Sequence, residues 1–242
     1  MMNVLLVTSE LAPLAKSGGL GDVAGALPPY LRKAGVDVRC VMPLYRQIKN
    51  KYADILQFLG ARTVQLGWRL QYCGLFRMEH NGVPIYLIDN DYYFNHDRLY
   101  IEHRFDIERF CFFQRAVLEI LGEPMDFRPD ILHLNDWQTG MIPALLETHY
   151  RPYGRHTGLK TIFTIHNLKY QGIADYRLVA DMLGLPDWLM TEQGIVNDGM
   201  PNFLKAGIVY ADRVTTVSPT YAWEIMTDYF GEMLRDCLPT MG

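Results

Sequence analysis

The chain has 242 residues, 49% of them hydrophobic, so it is long enough to bury a sizeable core in one large domain. A formal net charge of −4 excludes a general electrostatic attraction to nucleic acid or to anionic lipid. No stretch approaches the roughly 20 apolar residues of a membrane span, and the four cysteines form no closely spaced pair, so we expect a cytoplasmic protein with reduced thiols and no membrane contact.

Short apolar runs alternate with longer amphipathic stretches from the start of the chain. This order predicts an α/β protein with a Rossmann-like parallel sheet and helices on both faces. The predicted strands are residues 3–8, 36–42, 83–88, 130–134, 160–165 and 213–217, and the predicted helices include 108–121, 137–149 and 201–211. Residues 64–79 predict an inserted hairpin, and Pro28 and Pro29 are expected to kink or shorten the first helix.

The first strand is followed by a glycine-rich segment, KSGGLGDVAG, at residues 16–25. The spacing of Gly19, Gly21 and Ala24 matches a dinucleotide-binding turn, but that turn directly follows its strand and needs a carboxylate at the end of the second strand. The sequence has neither feature. A P-loop does not fit either, because its lysine follows the glycines, whereas Lys16 precedes them.

Two interpretations of this segment remain open. In the first, a helix that begins near Leu20 presents free N–H groups and the positive end of its dipole to an anion. Gly18 and Gly19 then let the ligand approach the backbone, and Lys16 adds a positive charge at the edge. In the second, the glycines only supply turn dihedrals and the lysine is a solvated surface charge.

Polar residues also follow three later strands. Asp136, His166 and Ser218 each come within two residues of an apolar run, at the carboxyl end of a predicted strand, where α/β sheets bind ligands. Each also has a structural explanation, namely helix capping for Asp136 and Ser218 and a satisfied buried imidazole for His166. Taken together, Lys16, Asp136 and His166 predict a cation, a carboxylate and an imidazole at one edge of the sheet.

Two irregular segments, residues 90–104 and 168–200, interrupt the alternation, and long irregular loops in a compact domain are usually functional or mobile. The first is too polar for a core and too aromatic for a plain linker, so we expect an exposed aromatic loop around Tyr100. We also expect an exposed apolar patch near Phe203 and Tyr210.

Several motifs occur in a fixed order along the chain. They are KSGGLGDV at residues 16–23, VMPLY at 41–45, HLNDWQTG at 133–140, FTIHNL at 163–168, NFLKAG at 202–207 and VSPTYA at 217–222. This series closely resembles the amino-terminal domain of bacterial glycogen synthases and plant starch synthases. The resemblance reaches from the first strand almost to the end of the chain.

The resemblance implies that residues 1–242 form the amino-terminal catalytic domain of a GT-B glycosyltransferase. Such an enzyme moves glucose from ADP-glucose to the non-reducing end of an α-1,4-glucan and retains the anomeric configuration. It uses no metal and no cofactor beyond the sugar nucleotide. The sequence leaves UDP-glucose open as the donor, since the base is expected to be recognised by a second domain.

The resemblance also implies roles for individual residues. Lys16, Gly18 and Gly19 are expected to face the diphosphate and the glucosyl unit of the donor. Asp136 and His166 are expected to border the sugar as catalytic residues, with His166 orienting it by hydrogen bonds. Tyr100 is expected to contact the glucan, because flat sugar faces stack on aromatic rings.

The chain departs from the family at its end, since it stops at Gly242, before the second α/β domain that the family carries. We expect a truncated product or a natural half-enzyme that needs a carboxyl-terminal GT-B domain, in the uncut protein or in another chain, and that has little activity alone. The alternative is a non-catalytic glucan-binding or regulatory module derived from the same domain. A nicotinamide-dependent oxidoreductase is a third possibility that rests on the glycine spacing alone.

Overall fold

The computed structural model of the protein describes residues 2–238. Thr240 to Gly242, at the chain end discussed above, lie outside the described residues. The strands are β1 (Asn3–Val7), β2 (Asp37–Pro43), β3 (Gln57–Leu66), β4 (Arg69–His80), β5 (Val83–Asp89), β6 (Ile131–Asn135), β7 (Lys160–Ile165), β8 (Val196–Asn197), β9 (Met200–Pro201) and β10 (Arg213–Thr216). The helices are α1 (Gly19–Lys33), α2 (Arg46–Lys51), α3 (Asp91–Phe94), α4 (His103–Ile120), α5 (Ile142–Leu145), α6 (Tyr176–Leu183), α7 (Phe203–Tyr210) and α8 (Pro219–Glu224).

The main sheet has 8 strands in the order β10-β7-β6-β1-β2-β5-β4-β3. The strands from β10 to β5 run parallel, and β4 and β3 add an antiparallel hairpin at one edge. From β1 the chain builds outward through β2 and β5 and then returns to the other side through β6 and β7. The direction therefore switches between β1 and β6, where doubly wound sheets bind ligands.

The strands confirm the predicted sheet. Every predicted strand exists, and its ends differ from the prediction by at most one residue. All residues of β5 and nearly all of β1 are buried, so both faces of the central sheet are covered. The predicted hairpin exists but starts earlier, at Gln57, and its second strand pairs with β5, so the hairpin extends the main sheet.

The prolines do not shorten the first helix, and the kink expected as the alternative stays a prediction. Helix α1 runs for 15 residues with Pro28 and Pro29 inside it. Leu20, Ala24 and Pro28 are buried at a spacing of four residues and form one apolar stripe. Packing of this stripe offsets the backbone hydrogen bonds that the prolines cannot make.

Helix α4 begins at His103, five residues before the predicted start at residue 108. The Glu102 carboxylate caps it and accepts hydrogen bonds from the backbone N–H groups of Arg104 at 3.0 Å and Phe105 at 3.1 Å. This start could not be predicted from the sequence, because glutamate is not among the residues that usually cap helices.

The predicted helix at residues 137–149 is broken into three pieces. A tight turn at Trp137–Thr139 precedes α5, and a wider turn at Leu146–Tyr150 follows it. Pro143 lies in the first turn of α5, where its missing N–H costs nothing, and this favours a helix start at Ile142.

Burial corrects the expected aromatic loop and the expected apolar patch in part. Tyr93 is fully buried and Tyr100 is half-buried, so these rings are packed, whereas Tyr92 and residues 101–104 are exposed. Phe203 is fully buried and Tyr210 is half-buried. Val209, between them, is 38% exposed, and further exposed large apolar side chains follow at Val217, Trp223, Tyr229, Phe230 and Met233. Within residues 2–238, none of the helices has the length and apolar character needed to cross a membrane.

Candidate functional site

A cleft of about 870 Å³ opens at the carboxyl ends of the parallel strands, next to the switch between β1 and β6. The segments that follow β1, β6, β7 and β10 contribute to its walls, together with the loop before α4. Its lining includes Glu10, Ser17, Gly18, Gly19, Tyr100, Asp106, Asp136, Gln138, His166 and Val217. The cleft is therefore where the topology of the sheet predicts a ligand.

The glycines of the first loop have two different tasks. A Cβ at Gly18 or Gly19 would meet no atom within 4 Å, and both residues line the cleft at the start of α1. A Cβ at Gly21 would lie 2.5 Å from the Lys16 Cβ, and one at Gly25 would lie 2.4 Å from the Ala12 carbonyl oxygen. Gly21 and Gly25 thus allow close packing, whereas Gly18 and Gly19 leave room for a ligand at the helix start.

Glu10 organises this loop, although it was not among the residues predicted for the site. Its buried carboxylate accepts hydrogen bonds from the N–H groups of Ser17 at 2.5 Å and Gly18 at 3.3 Å and from the Ser17 hydroxyl at 2.7 Å. It also accepts one from the Tyr100 hydroxyl at 2.7 Å. Its position in the sequence could have indicated it, because Glu10 lies shortly after the end of β1, as Asp136 lies after the end of β6.

Lys16 does not line the cleft. Its ammonium donates a hydrogen bond to the Asp22 carboxylate at 2.7 Å, and both side chains are more than half exposed. An exposed pair of this kind contributes little to stability, so the lysine is free to exchange partners. Its predicted contact with a donor phosphate stays a prediction that requires the side chain to turn away from Asp22.

Asp136 lies at the floor of the cleft with a φ of 57°, in the left-handed region that favours glycine. It is positioned to cap the turn after β6, but its side chain makes no capping bond. The carboxylate instead accepts hydrogen bonds from the N–H groups of His166 at 2.7 Å and Asn167 at 3.4 Å. Burial raises the pKa of Asp136 to about 7, although these hydrogen bonds oppose the shift.

His166 is held as a neutral imidazole. Burial, with a smaller effect of His133, lowers the pKa of His166 to about 4. The Asn135 amide nitrogen donates to the carbonyl oxygens of Val7 and His133, both at 3.0 Å, so its oxygen is left to accept from His166 Nε2 at 2.9 Å. The proton therefore lies on Nε2, and Nδ1 is a hydrogen-bond acceptor.

Tyr100 lines the cleft beside Glu10, and its hydroxyl both donates and accepts a hydrogen bond. It donates to Glu10 and accepts a hydrogen bond from the Gln138 amide at 3.0 Å. The structure thus brings Gly18, Gly19 and Tyr100 together with Asp136 and His166, and it leaves Lys16 at the outer edge. Ser218 caps α8 through the Tyr221 N–H at 3.0 Å, as its structural interpretation predicts.

The doubly wound sheet, with a cleft at the carboxyl ends of its strands, defines an α/β protein of the Rossmann-like class, in which ligands bind at that edge. The profile of one protein family, described as the starch synthase catalytic domain, matches residues 3–240. The chain belongs to this family.

Similar proteins agree with this assignment. The glycogen synthase of Clostridium novyi (strain NT) is 47% identical over 237 residues, which are 98% of this chain and 49% of the relative. The glycogen synthase of Lachnospira eligens is 48% identical over 97% of this chain and 49% of its own length. The catalytic domain of starch synthase IV from Arabidopsis thaliana, solved with ADP and acarbose bound, superposes with a TM-score of 0.87 at 31% identity and covers 97% of this chain and 48% of its own. The chain spans about half the length of the relatives it matches, and the amino-terminal half of a GT-B fold is confirmed.

Proposed function

We propose that residues 1–242 form the amino-terminal catalytic domain of a glycogen or starch synthase that acts in the cytoplasm. The enzyme transfers glucose from ADP-glucose to the non-reducing end of an α-1,4-glucan with retention of configuration. It works together with a carboxyl-terminal GT-B domain, either in the uncut protein or in another chain. The observation that carries the proposal is the cleft, in which an open helix start faces Asp136 and His166 within a starch synthase fold.

The donor diphosphate binds at the start of α1 in this proposal. Gly18 and Gly19 leave open space there, and the 15-residue helix directs the positive end of its dipole at the cleft. The diphosphate gains negative charge as the bond between it and the glucosyl unit breaks. Fixed N–H groups, and Lys16 once it leaves Asp22, then stabilise the transition state more than the ground state.

The glucosyl unit lies over Asp136 and His166. A neutral imidazole with its proton on Nε2 offers Nδ1 to a sugar hydroxyl as an acceptor. Asp136, with a pKa of about 7, exists in both protonation states near neutral pH and either donates to or accepts from a hydroxyl. In this proposal these two residues orient the sugar.

The glucan acceptor contacts the wall that carries Tyr100. The solved Arabidopsis relative is bound to ADP and acarbose, and this supports the binding of both kinds of ligand by the proposed enzyme. Tyr100 contributes a ring whose hydroxyl is already satisfied, so the ring is held still without a ligand.

Complementation tests the proposal. This chain is mixed with the separately produced carboxyl-terminal half of the Clostridium novyi glycogen synthase, and transfer of labelled glucose to maltoheptaose is measured with ADP-glucose and, in parallel, UDP-glucose. We expect transfer in the mixture, little in either half alone, and a loss in the mixture with His166→Ala. Absence of transfer in the mixture, with both halves folded, contradicts the proposal.

The alternative hypothesis, a non-catalytic glucan-binding module, predicts a different result with the same proteins. It predicts malto-oligosaccharide binding by calorimetry that persists in Lys16→Ala and His166→Ala without any complementing transfer. The two outcomes are distinguished by whether the mixture turns over the donor.

A further inference from the structure

Glu10 is where two walls of the cleft meet. Its carboxylate is 3% exposed and is bound by donors from two separate segments, the glycine loop through Ser17 and Gly18 and the loop before α4 through Tyr100. An ionised carboxylate only accepts hydrogen bonds, so every one of these donors is oriented towards the same two oxygens. No other side chain in the described part of the chain bonds to both loops.

Tyr100 is fixed on its backbone as well as at its hydroxyl. Both oxygens of Asp106 accept from the N–H of Ile101 at 3.2 Å, and Arg109 donates to the carbonyl oxygen of Leu99. Asp106 and Arg109 form a buried ion pair at 2.8 Å on α4. The residues on either side of Tyr100 are thus held by one helix, and its hydroxyl transmits that position to Glu10.

The glycine loop is anchored near its end, where the Ala12 N–H donates to the Gly21 carbonyl oxygen at 2.9 Å, but its start at Ser17 and Gly18 is not held by a helix in this way. Gly18 is the N-cap residue of α1 and, as a glycine, has no side chain that could cap the helix. The Lys16 ammonium bonds to Asp22 and not to the loop backbone. Ser17 and Gly18 are held towards the cleft by the Glu10 carboxylate. The direction of the next N–H groups, those that face the open space at Gly19, therefore depends on Glu10.

We propose that Glu10 is the positioning residue of this cleft and couples the glycine loop to Tyr100. Fixing Tyr100 from α4 orients Glu10, and Glu10 in turn holds the loop in the shape that binds an anion. The ligand used in the test, ADP, rests on the proposed function. The coupling between the two loops rests only on the hydrogen bonds of Glu10.

A double-mutant cycle measured by ADP titration tests the coupling. Glu10→Gln keeps the size of the side chain but replaces one acceptor oxygen with a donor, and we expect about a ten-fold loss of ADP affinity because two donors then face each other. The Tyr100 side chain bonds to no atom of the glycine loop. We nevertheless expect Tyr100→Phe to lower the ADP affinity about three-fold, because it removes a hydrogen bond to Glu10. In the Glu10→Gln background the same Tyr100→Phe change is expected to add no further loss.

Tyr92→Phe is the matched control, since it removes a hydroxyl from an exposed tyrosine nearby. The Tyr92 side chain is 61% exposed, and its hydroxyl has no hydrogen-bond partner among residues 2–238. We expect its ADP affinity to equal that of the wild type. Equal losses from Tyr100→Phe in the wild-type and Glu10→Gln backgrounds overturn the coupling.

Amide NMR tests the same coupling without any ligand. The amide protons of Ser17 and Gly18 are expected far downfield in the wild type, because they bond to a carboxylate, and to move upfield in Glu10→Gln. We expect them to shift in Tyr100→Phe and not in Tyr92→Phe. If Tyr100→Phe leaves both signals in place, the coupling is wrong, whereas shifts as expected without ADP binding contradict only the proposed function. If Glu10 has only a structural role, Glu10→Gln lowers the melting temperature, but Tyr100→Phe does not shift the amide signals of Ser17 and Gly18.

Discussion

Asp136 combines a backbone conformation that favours glycine with a buried carboxyl group. The folded pKa of about 7 lies above the ordinary value of 3.8, because burial penalises the charged form and Glu10 adds a smaller repulsion. The folded protein therefore binds this proton more tightly than the unfolded chain does. The contribution of Asp136 to stability is fully present at acidic pH and is lost as the pH rises from about 4 to about 7.

Asp136→Asn removes this titration while the side-chain oxygen still accepts from the His166 N–H. We expect the free energy of unfolding of the variant, relative to wild type, to rise by about 2.5 kcal/mol between about pH 5 and about pH 8. Urea unfolding of both proteins at the two pH values measures it. His133 and His166, whose pKa values burial lowers to about 4, titrate in both proteins and cancel in the difference. A difference that does not change with pH contradicts the assigned pKa.

Single residues of the site were only partly predictable. Asp136 and His166 were found because each follows an apolar run at the end of a strand. The sequence could not show that the Asp136 carboxylate binds the N–H of His166, since that contact joins two strands 30 residues apart. Glu10 was missed because its partners, Ser17 and Tyr100, are brought to it only by the fold. The outward pairing of Lys16 with Asp22 was equally hidden.

At the scale of elements, the glycine loop and α1 depend on a close approach between Gly25 and the Ala12 carbonyl oxygen. A Cβ at Gly25 would lie 2.4 Å from that backbone oxygen, which cannot move aside cheaply. We expect Gly25→Ala to destabilise the protein by about 1 to 3 kcal/mol.

Gly18→Ala is the control for this prediction. Its φ of −158° is extended backbone that any residue adopts, and its Cβ would meet no atom within 4 Å. We expect its stability to stay within about 0.5 kcal/mol of wild type. Urea unfolding of both variants decides the matter, and equal stability of the two contradicts the packing role given to Gly25.

Helix α7 holds a neighbouring loop through a buried lysine. Lys205 is 4% exposed, and its ammonium donates to the carbonyl oxygens of Glu192 and Val196, each at 2.6 Å. Lys205→Met leaves both carbonyls unpaired, and we expect a loss of about 2 to 4 kcal/mol in unfolding free energy and faster proteolysis near residue 192.

The exposed pair of Lys160 with Asp212, at 3.0 Å, supplies the matched control. Lys160→Met removes an ammonium from the surface, so we expect a loss below about 1 kcal/mol. Similar losses in the Lys205 and Lys160 variants would show that the buried ammonium does not hold the loop.

Elements were predictable to the extent that local pattern decides them. The strands were predicted well because buried parallel strands are continuous apolar runs with polar ends. The start of α4 and the break before α5 were missed, since they depend on an unusual glutamate cap and on the turn at Asp136. The length of α1 was missed because tertiary packing outweighs the local cost of Pro28 and Pro29.

At the scale of the whole molecule, the walls of the cleft come from the segments that follow four parallel strands and from the loop before α4. Asp136 and His166 are in place before any ligand arrives, and the chain spans about half the length of its relatives. Val217 lines the cleft and is 46% exposed, and α8 follows it with Trp223 69% exposed. In the proposed function these apolar side chains meet the second domain, because large exposed aromatic residues beside a site are typical of interfaces.

Trp223→Arg tests this arrangement in the complementation assay. We expect the variant to keep the wild-type melting temperature, because the side chain is exposed, and to lose at least about ten-fold in transfer activity at limiting concentrations of the second domain. Trp68→Arg is the control, since Trp68 is 77% exposed at the tip of the β3–β4 hairpin, which lies at the edge of the sheet away from β10. We expect that variant to complement like wild type. Equal complementation by both variants would place the contact with the second domain elsewhere, because a tryptophan at the centre of an interface rarely tolerates a charge.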